Sequence, residues 1–379
     1  MPQAEAAVMS ARINHLRNPG ATLYKTTTVR HLGRVEAKPN AALIADNAVV
    51  EAFGADKCPK LAQLLKEENE NTLLHALRCI AGVLKMPTDV VNSTHDEHHV
   101  LEPLGNLVYH NNAAIRRLAA TALRVFASHA VGRAELVRYR TMRKILKVFG
   151  RNDNELMEPL FDTALHVSST MSGVREMSQH GYPAVILEKL KRDASDSIRV
   201  RALQLLKAFV NDGIPSTVLH IVELGGVDAV AKFIHSKNKD VRTAALQTTG
   251  AMLYLEQGRN SAMLNGVAKK LCGVLQDRDS SVSIVAAGAL MVLAVHDGAK
   301  REIYELGAHT GFLALLHRPE YGVQLNTLKL VTVLAAHPLA RDAMRTKQME
   351  KTMRDMTEDT NELLARSAKL ALRAVLWTP

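Results

Sequence analysis

The sequence VRTAALQTTGAMLYLEQGRNSAMLNGVAKKLCGVLQDRDSS, residues 241–281, holds one long helical pattern and two shorter ones. Small or apolar residues stand at i, i+4, i+7 and i+11 from Val241, which is the period of an α-helix. Gly258 and Asn260 interrupt that pattern, and the next short segment ends at Gly266. A further apolar segment then runs to the polar turn DRDSS, which precedes Val282. We therefore expect three helices in this stretch.

The same unit recurs along most of the chain. Apolar residues that open the long segments stand 41 to 43 residues apart, and we call them the anchors. The residues four and seven positions after each anchor are apolar or small, apart from two threonines. A register this constant indicates stacked repeats, in which each unit buries its apolar face only against its neighbours. The anchors are Leu73, Ile115, Met157, Ile198, Val241, Val282, Val323 and Leu364.

Two short helices followed by a long third helix are typical of the armadillo repeat, whereas a HEAT repeat has two helices. We predict an all-α chain that forms a right-handed superhelical armadillo solenoid of about eight repeats, counting degenerate end repeats. A single solenoid is expected over residues 23–379, with its long third helices starting near the anchors. Residues 1–22 show no helical period and are expected to form a separate N-terminal tail.

The composition favours a helical protein that does not enter a membrane. Hydrophobic residues make up 47% of the 379 residues and aromatic residues 4%, so the core is expected to be aliphatic. The longest apolar stretch, residues 282–295, is shorter than the ~20 residues that a membrane-spanning helix needs. No signal peptide is recognisable, and the three scattered cysteines form no disulfide framework or zinc motif. Together these features favour a reducing cytoplasm.

No motif for catalysis or cofactor binding is present in the sequence. A phosphate-binding glycine loop, a GxSxG elbow and a cysteine nucleophile motif are all missing. The segment HDEHH, residues 95–99, offers possible zinc ligands, but its spacing matches no zinc motif. A solvated loop explains this segment more simply. We expect a protein without enzyme activity, cofactor or metal.

Positive charge is concentrated between residues 133 and 151, in a chain whose net charge is +10. Seven basic residues and one acidic residue give this basic run a charge of +6. It suits an acidic helix or an acidic tail such as that of tubulin, and a solvated face of two short helices is an equal alternative. Nucleic acid fits less well, because no pattern of aromatic residues alternates with the charges. The basic residues are Arg133, Arg138, Arg140, Arg143, Lys144, Lys147 and Arg151.

A second set of basic residues lies on the long helices. Arg116, Arg199 and Arg242 each follow an anchor directly. If this side of the helices lines a concave surface, the set forms a basic stripe that binds protein; otherwise it is a solvated face. The other members of this basic stripe are Arg117, Arg124, Arg201 and Lys207.

One column of the repeat argues against extended peptides as ligands. In the armadillo proteins that bind such peptides, import receptors and catenins among them, an Asn ladder on the third helix pairs with the peptide backbone. The corresponding position, ten residues after the anchor, is Val or Ala in all eight repeats. Val and Ala cannot hydrogen-bond a peptide backbone but can pack against a helix, so folded or helical partners are expected. The column consists of Val83, Val125, Val167, Ala208, Ala251, Val292, Val333 and Ala374.

Three stretches resemble the armadillo-repeat proteins of the ciliary radial spoke, and the radial spoke head 14 homologue family in particular. They are ASHAVGRAEL at 127–136, the run from AAGALMVLAV to VLAAHP at 286–338, and ARSAKLALRAVLWTP at 365–379. The resemblance covers roughly residues 40–379 and is densest in the last hundred. The N-terminal tail and the HDEHH segment depart from the family pattern.

This resemblance implies a structural subunit of the radial spoke, in the axoneme of motile cilia and flagella. Such a subunit docks other spoke proteins and contributes to the regulation of dynein-driven bending. The family brings no catalytic residues to transfer to this chain. The alternative is a soluble cytoplasmic armadillo adaptor or transport receptor that binds folded or helical partners.

Overall fold

The computed structural model describes residues 52, 54, 56–95, 99–150, 153–192, 195–212 and 214–378. Every regular element in these ranges is a helix. The chain divides into two compact units, the first ending at Tyr182 and the second beginning at Pro183. The predicted N-terminal tail, residues 1–22, lies outside the described residues, as do residues 96–98 of the HDEHH segment.

The first unit contains three long helices, and shorter helices come before, between and after them. Long helices α2, α5 and α8 stack in chain order. The helices are α1 (Lys57–Leu64), α2 (Glu70–Val83), α3 (Pro87–Asn92), α4 (Leu101–Leu107), α5 (Ala113–Ser128), α6 (Ala130–Arg138), α7 (Thr141–Ile145), which continues as a 3₁₀ turn over Leu146–Gly150, α8 (Asn154–Val167) and α9 (Met171–Gln179). The division between the units falls at the start of α10 (Tyr182–Lys191).

The second unit continues the pattern with five long helices, α11, α14, α17, α20 and α23, which also stack in chain order. Its helices are α11 (Asp196–Val210), α12 (Pro215–Glu223), α13 (Gly226–Ala231), α14 (Lys239–Met252), α15 (Glu256–Leu264), α16 (Val267–Gly273), α17 (Ser280–Leu293), α18 (Asp297–Glu305), α19 (Phe312–Leu316), α20 (Tyr321–Leu334), α21 (Pro338–Met344), α22 (Lys347–Asp355) and α23 (Glu362–Leu376). Short 3₁₀ turns cover Ala308–Gly311 and Met356–Glu358.

Polar turns before the long helices supply the N-terminal caps. Seven of the eight long helices begin after an Asn, Asp or Ser whose side chain accepts a hydrogen bond from a backbone N–H of the first turn. Such a cap stabilises a helix by about 1 kcal/mol. The capping residues are Asn69, Asn112, Asp153, Ser195, Asn238, Asp279 and Asn361.

The core of each unit is built from the repeated columns. All eight anchors are buried, and so are the residues four and seven positions after each of them. The small residues among them let neighbouring long helices approach closely. Where a column holds threonine, its hydroxyl is satisfied by a backbone carbonyl: Thr248 Oγ1 donates to the carbonyl of Leu203 at 2.9 Å, and Thr327 Oγ1 to that of Val323 at 2.7 Å.

The predicted break inside residues 241–281 falls earlier than the sequence indicates. Helix α14 ends at Met252, and Gly258 lies inside α15 rather than between helices. A Cβ atom at Gly258 would stand 2.0 Å from the carbonyl oxygen of Met252, so this glycine allows α15 to approach the end of α14. The prediction was wrong here because a glycine needed for close packing looks, in sequence, like a helix terminator.

Candidate protein-binding surfaces

Two residues of the basic stripe, Arg116 and Arg242, connect consecutive repeats. Each Nη1 donates to two backbone carbonyls in the turn before its own helix, at 2.9 and 2.7 Å for Arg116 and 3.0 and 3.1 Å for Arg242. Each guanidinium also approaches a carboxylate of the next repeat, Asp153 at 3.7 Å and Asp277 at 3.3 Å. Both side chains are only 17% exposed. These contacts give Arg116 and Arg242 a structural role that needs no partner protein.

The other stripe residues of the first unit contact the following long helix. Arg117 pairs with Glu155, and Arg124 Nη1 lies 4.0 Å from a carboxylate oxygen of Asp162. Both arginine side chains are more than two-fifths exposed. Their binding role stays a prediction.

In the second unit, Lys207 Nζ donates to Gln247 Oε1 on the next long helix at 2.8 Å. Arg199 pairs with Asp196 at 3.0 Å, and Arg201 contacts a serine one turn earlier on the same helix. The stripe therefore consists of two groups, one in each unit, and each group makes contacts within its own unit. A shared role in binding stays a prediction.

The basic run separates into structural residues and a cluster that faces solvent. Arg133 Nη1 donates to carbonyls at the end of α5, and Arg138 lies 3.5 Å from Glu135. Arg151 lies outside the described residues. The four others line a depression of about 620 Å³, which we call the basic pocket. Its lining residues are Gly105, Asn106, Tyr109, Tyr139, Arg140, Arg143, Lys144 and Lys147.

Arg140 has an unusual backbone conformation at the edge of the basic pocket. Its φ is +50° and its ψ +35°, and no other non-glycine residue in the described ranges has a positive φ. It stands 41 residues before Gly181 and occupies the position that glycine takes in later repeats. A left-handed conformation costs a residue with a Cβ atom roughly 1–2 kcal/mol, so Arg140 holds strain that glycine would avoid. The glycines at this position are Gly181, Gly225, Gly266 and Gly307.

Glu176 on α9 is the carboxylate that interacts with this cluster. Burial raises its pKa to about 7, and the charges of Arg140 and Arg143 oppose that shift. Its Oε1 lies 3.5 Å from His180 Nε2, and burial together with Arg143 and Arg140 lowers the pKa of His180. With its pKa raised to about 7, Glu176 is only partly ionised at neutral pH, so it compensates the cluster's positive charge only in part.

The aromatic residues of the basic pocket are engaged by the protein. The ring of Tyr139 lies 3.8 Å from that of His99, and the Arg138 guanidinium stands 5.4 Å above it. The Tyr109 hydroxyl donates to the backbone carbonyl of Lys144. Tyr139 stands between Arg138 and Arg140, so an aromatic residue does interrupt the charges, contrary to the sequence argument against nucleic acid.

The HDEHH segment is described only at its two ends. His99 Nδ1 accepts a hydrogen bond from the backbone N–H of Leu101 at 3.2 Å, and its Nε2 lies 3.6 Å from Glu135. Across the described ranges, no group of three or more His, Cys, Asp or Glu residues could hold a metal ion. Within those ranges, too, no helix is long and apolar enough to cross a membrane.

A row of exposed apolar residues follows the last four long helices of the second unit. Each member stands thirteen residues after its anchor, just past the end of the helix, and we call the row the apolar column. It consists of Tyr254 (72% exposed), Val295 (57%), Ala336 and Trp377 (53%). The Arg341 guanidinium lies 4.8 Å from the Trp377 ring centre. The constant spacing of thirteen residues after the anchor is the signal in the sequence that could have revealed this column.

The Val and Ala residues ten positions after each anchor are only partly accessible. In the second unit, Ala208, Ala251, Val333 and Ala374 are half-buried and Val292 is buried. This column provides no side-chain donor or acceptor for a peptide backbone.

No family model and no curated protein matches this sequence. Solved structures do match its fold. An engineered protein superposes with a TM-score of 0.77 over 84% of this chain and 78% of its own, at 20% identity. A designed armadillo repeat protein in complex with the peptide (KR)4 superposes with a TM-score of 0.57 over 62% of this chain and 99% of its own, at 16% identity. The chain therefore has an armadillo-repeat fold.

Proposed function

We propose that this chain is a non-catalytic protein-binding scaffold and a structural subunit of the axonemal radial spoke. In that role it docks other spoke proteins and contributes to the regulation of dynein-driven motility. The observation that carries the docking function is the apolar column, which exposes an apolar residue in each of four successive repeats, three of them large. The three stretches of sequence that resemble radial spoke armadillo proteins support the axonemal assignment.

The distance between neighbouring members of the apolar column suits a helical partner. Packed helices lie about 8–10 Å apart, so neighbouring members of the column are separated by about that distance. A helix that presents an apolar residue at every seventh position repeats after ~10.5 Å. An amphipathic partner helix lying along the column can therefore set one apolar side chain beside each repeat. This surface has no Asn ladder that would hold the backbone of an extended peptide.

Fractionation of axonemes tests the spoke assignment. A spoke subunit remains with demembranated axonemes in detergent and is released by chaotropic salt together with other spoke proteins. We expect this behaviour for the present chain. Recovery in the detergent-soluble fraction would contradict the proposal and favour the cytoplasmic adaptor.

A pair of variants tests the docking surface. Because Tyr254 and Val295 are exposed, the double variant Tyr254→Glu/Val295→Glu should fold normally and lose incorporation into axonemes. The control is Leu264→Glu, since Leu264 is 88% exposed but stands outside the column. Normal incorporation of the double variant would exclude the apolar column as the docking surface.

A further inference from the structure

Positive charge is concentrated in the basic pocket of the first unit, and the described residues provide little negative charge to compensate it. Arg140, Arg143, Lys144 and Lys147 are all exposed, and no described carboxylate forms an ion pair with any of them. Glu176, the carboxylate that acts on Arg140 and Arg143, is itself largely buried. Four cations that repel one another at one depression indicate an anionic ligand.

The backbone strain at Arg140 is an observation independent of charge that supports a binding role for the basic pocket. Later repeats place glycine at this left-handed position, whereas the repeat before Gly181 places an arginine there at a cost in strain. Strain of this kind clusters at binding and catalytic sites, where function retains it. The side chain of Arg140 contributes to the lining of the pocket, so the strained residue and the cationic cluster form one site.

We propose that the basic pocket binds an extended, carboxylate-rich segment of a partner protein. The four cations line one depression, and a rise of ~1.5–2 Å per residue through α7 and the following 3₁₀ turn separates the first cation from the last by about 10 Å. An extended chain rises ~3.3 Å per residue, so three or four consecutive residues of the partner match that length. A single phosphate would use only part of the cluster.

The aromatic residues favour a polypeptide over a nucleic acid. Proteins that bind single strands stack bases on aromatic rings. One face of Tyr139 is covered by His99, and Arg138 stands above the ring, while the hydroxyl of Tyr109 is bonded to the Lys144 carbonyl. The pocket therefore offers four cations beside two tyrosines that already contact other groups of the protein. This inference rests on the protein-binding part of the proposed function and does not depend on the spoke assignment.

Fluorescence anisotropy with the purified full-length chain tests the proposal. The probe is a labelled peptide of Glu-Glu-Gly repeats, compared with its Gln-Gln-Gly counterpart, a labelled oligo-uridine, and inorganic phosphate as competitor. We expect binding of the Glu peptide alone, weakened by salt. Neutralising two cations in Arg143→Gln/Lys147→Gln should weaken it about tenfold. The matched control, Lys66→Gln/Lys351→Gln, removes the same charge from exposed positions elsewhere and should bind like the wild type.

Substitutions at Arg140 separate strain from charge. Arg140→Gly should raise the melting temperature by about 1–3 °C and weaken peptide binding several-fold. Arg140→Lys keeps both the cation and the strained backbone, so it should leave both quantities nearly unchanged.

Three results would overturn the proposal. They are equal affinity of the Arg143/Lys147 variant and the wild type, tighter binding of oligo-uridine than of the Glu peptide, and a lower melting temperature for Arg140→Gly. A chain that fails the axoneme fractionation can still pass this test, so the two proposals fail separately.

Discussion

The arginines of this chain differ in what their guanidinium groups contact. Arg116 and Arg242 are mostly buried and satisfy carbonyls at the start of their own helices, whereas Arg140 and Arg143 line an exposed pocket. The sequence predicts all four as candidate binding residues, because it shows charge but not the partners of that charge. Asp277, for example, stands 35 residues from Arg242 and becomes its neighbour only through stacking.

Removal of a connecting arginine should destabilise the second unit. Arg242→Ala deletes two hydrogen bonds to carbonyls and the contact with Asp277, at a cost of about 1–3 kcal/mol. Urea unfolding measures this loss. The control is Arg301→Ala, whose side chain is 74% exposed and pairs only with Glu305 one turn away, so its cost should be below ~0.5 kcal/mol. Equal losses for the two variants would show that Arg242 does not connect the repeats.

Glu176 should make stability depend on pH. Its pKa is about 7 in the folded protein and near 4.5 in the unfolded chain, so the folded state binds more protons between these values. Stability contributed by this group is therefore lost as the pH rises through that window. The variant Glu176→Gln should be about 2–3 kcal/mol more stable than the wild type at pH 8.

This difference should shrink towards pH 5, where Glu176 is largely protonated when folded. The neighbours Arg140, Arg143, His180 and Tyr182 are the same in both proteins, so subtracting the two pH profiles isolates Glu176. Thermal melts over pH 5–8 supply the profiles. A constant difference across that range would contradict a raised pKa.

At the scale of the helix, the small residue four positions after the anchor controls stacking. Ala286 on α17 is fully buried, in a column that packs against neighbouring helices. Ala286→Asp introduces an unpaired buried charge and should cost roughly 3–5 kcal/mol or unfold the second unit. Thermal melting tests this, with Val295→Asp as the control, because Val295 is 57% exposed and follows the same helix. An unchanged melt for Ala286→Asp would refute the predicted register.

The long helices could be predicted more closely than the short ones, for a physical reason. Every anchor is buried where long helices pack against one another, so the spacing of 41 to 43 residues predicts its burial directly. The ends of short helices depend on single close approaches, such as that of Gly258 to the end of α14. The left-handed backbone of Arg140 also escaped prediction, because arginine gives no local signal for a position that glycine fills elsewhere.

At the scale of the whole molecule, the two units present different binding chemistry. The first offers the basic pocket and the second the apolar column. The sequence predicts a scaffold because its repeats supply packing columns and no catalytic motif. It places the cations of the basic pocket in one run but does not show which basic residues face solvent, since exposure depends on which repeat faces lie against one another.

Cross-linking mass spectrometry on intact axonemes tests the central claim most directly. Lys329 and Lys369 stand on long helices of the second unit, α20 and α23, which carry members of the apolar column at their ends. We expect cross-links from these lysines to proteins that leave the axoneme together with the spokes, and the loss of those cross-links in Tyr254→Glu/Val295→Glu. Cross-links confined to soluble proteins, or none to spoke proteins, would contradict it.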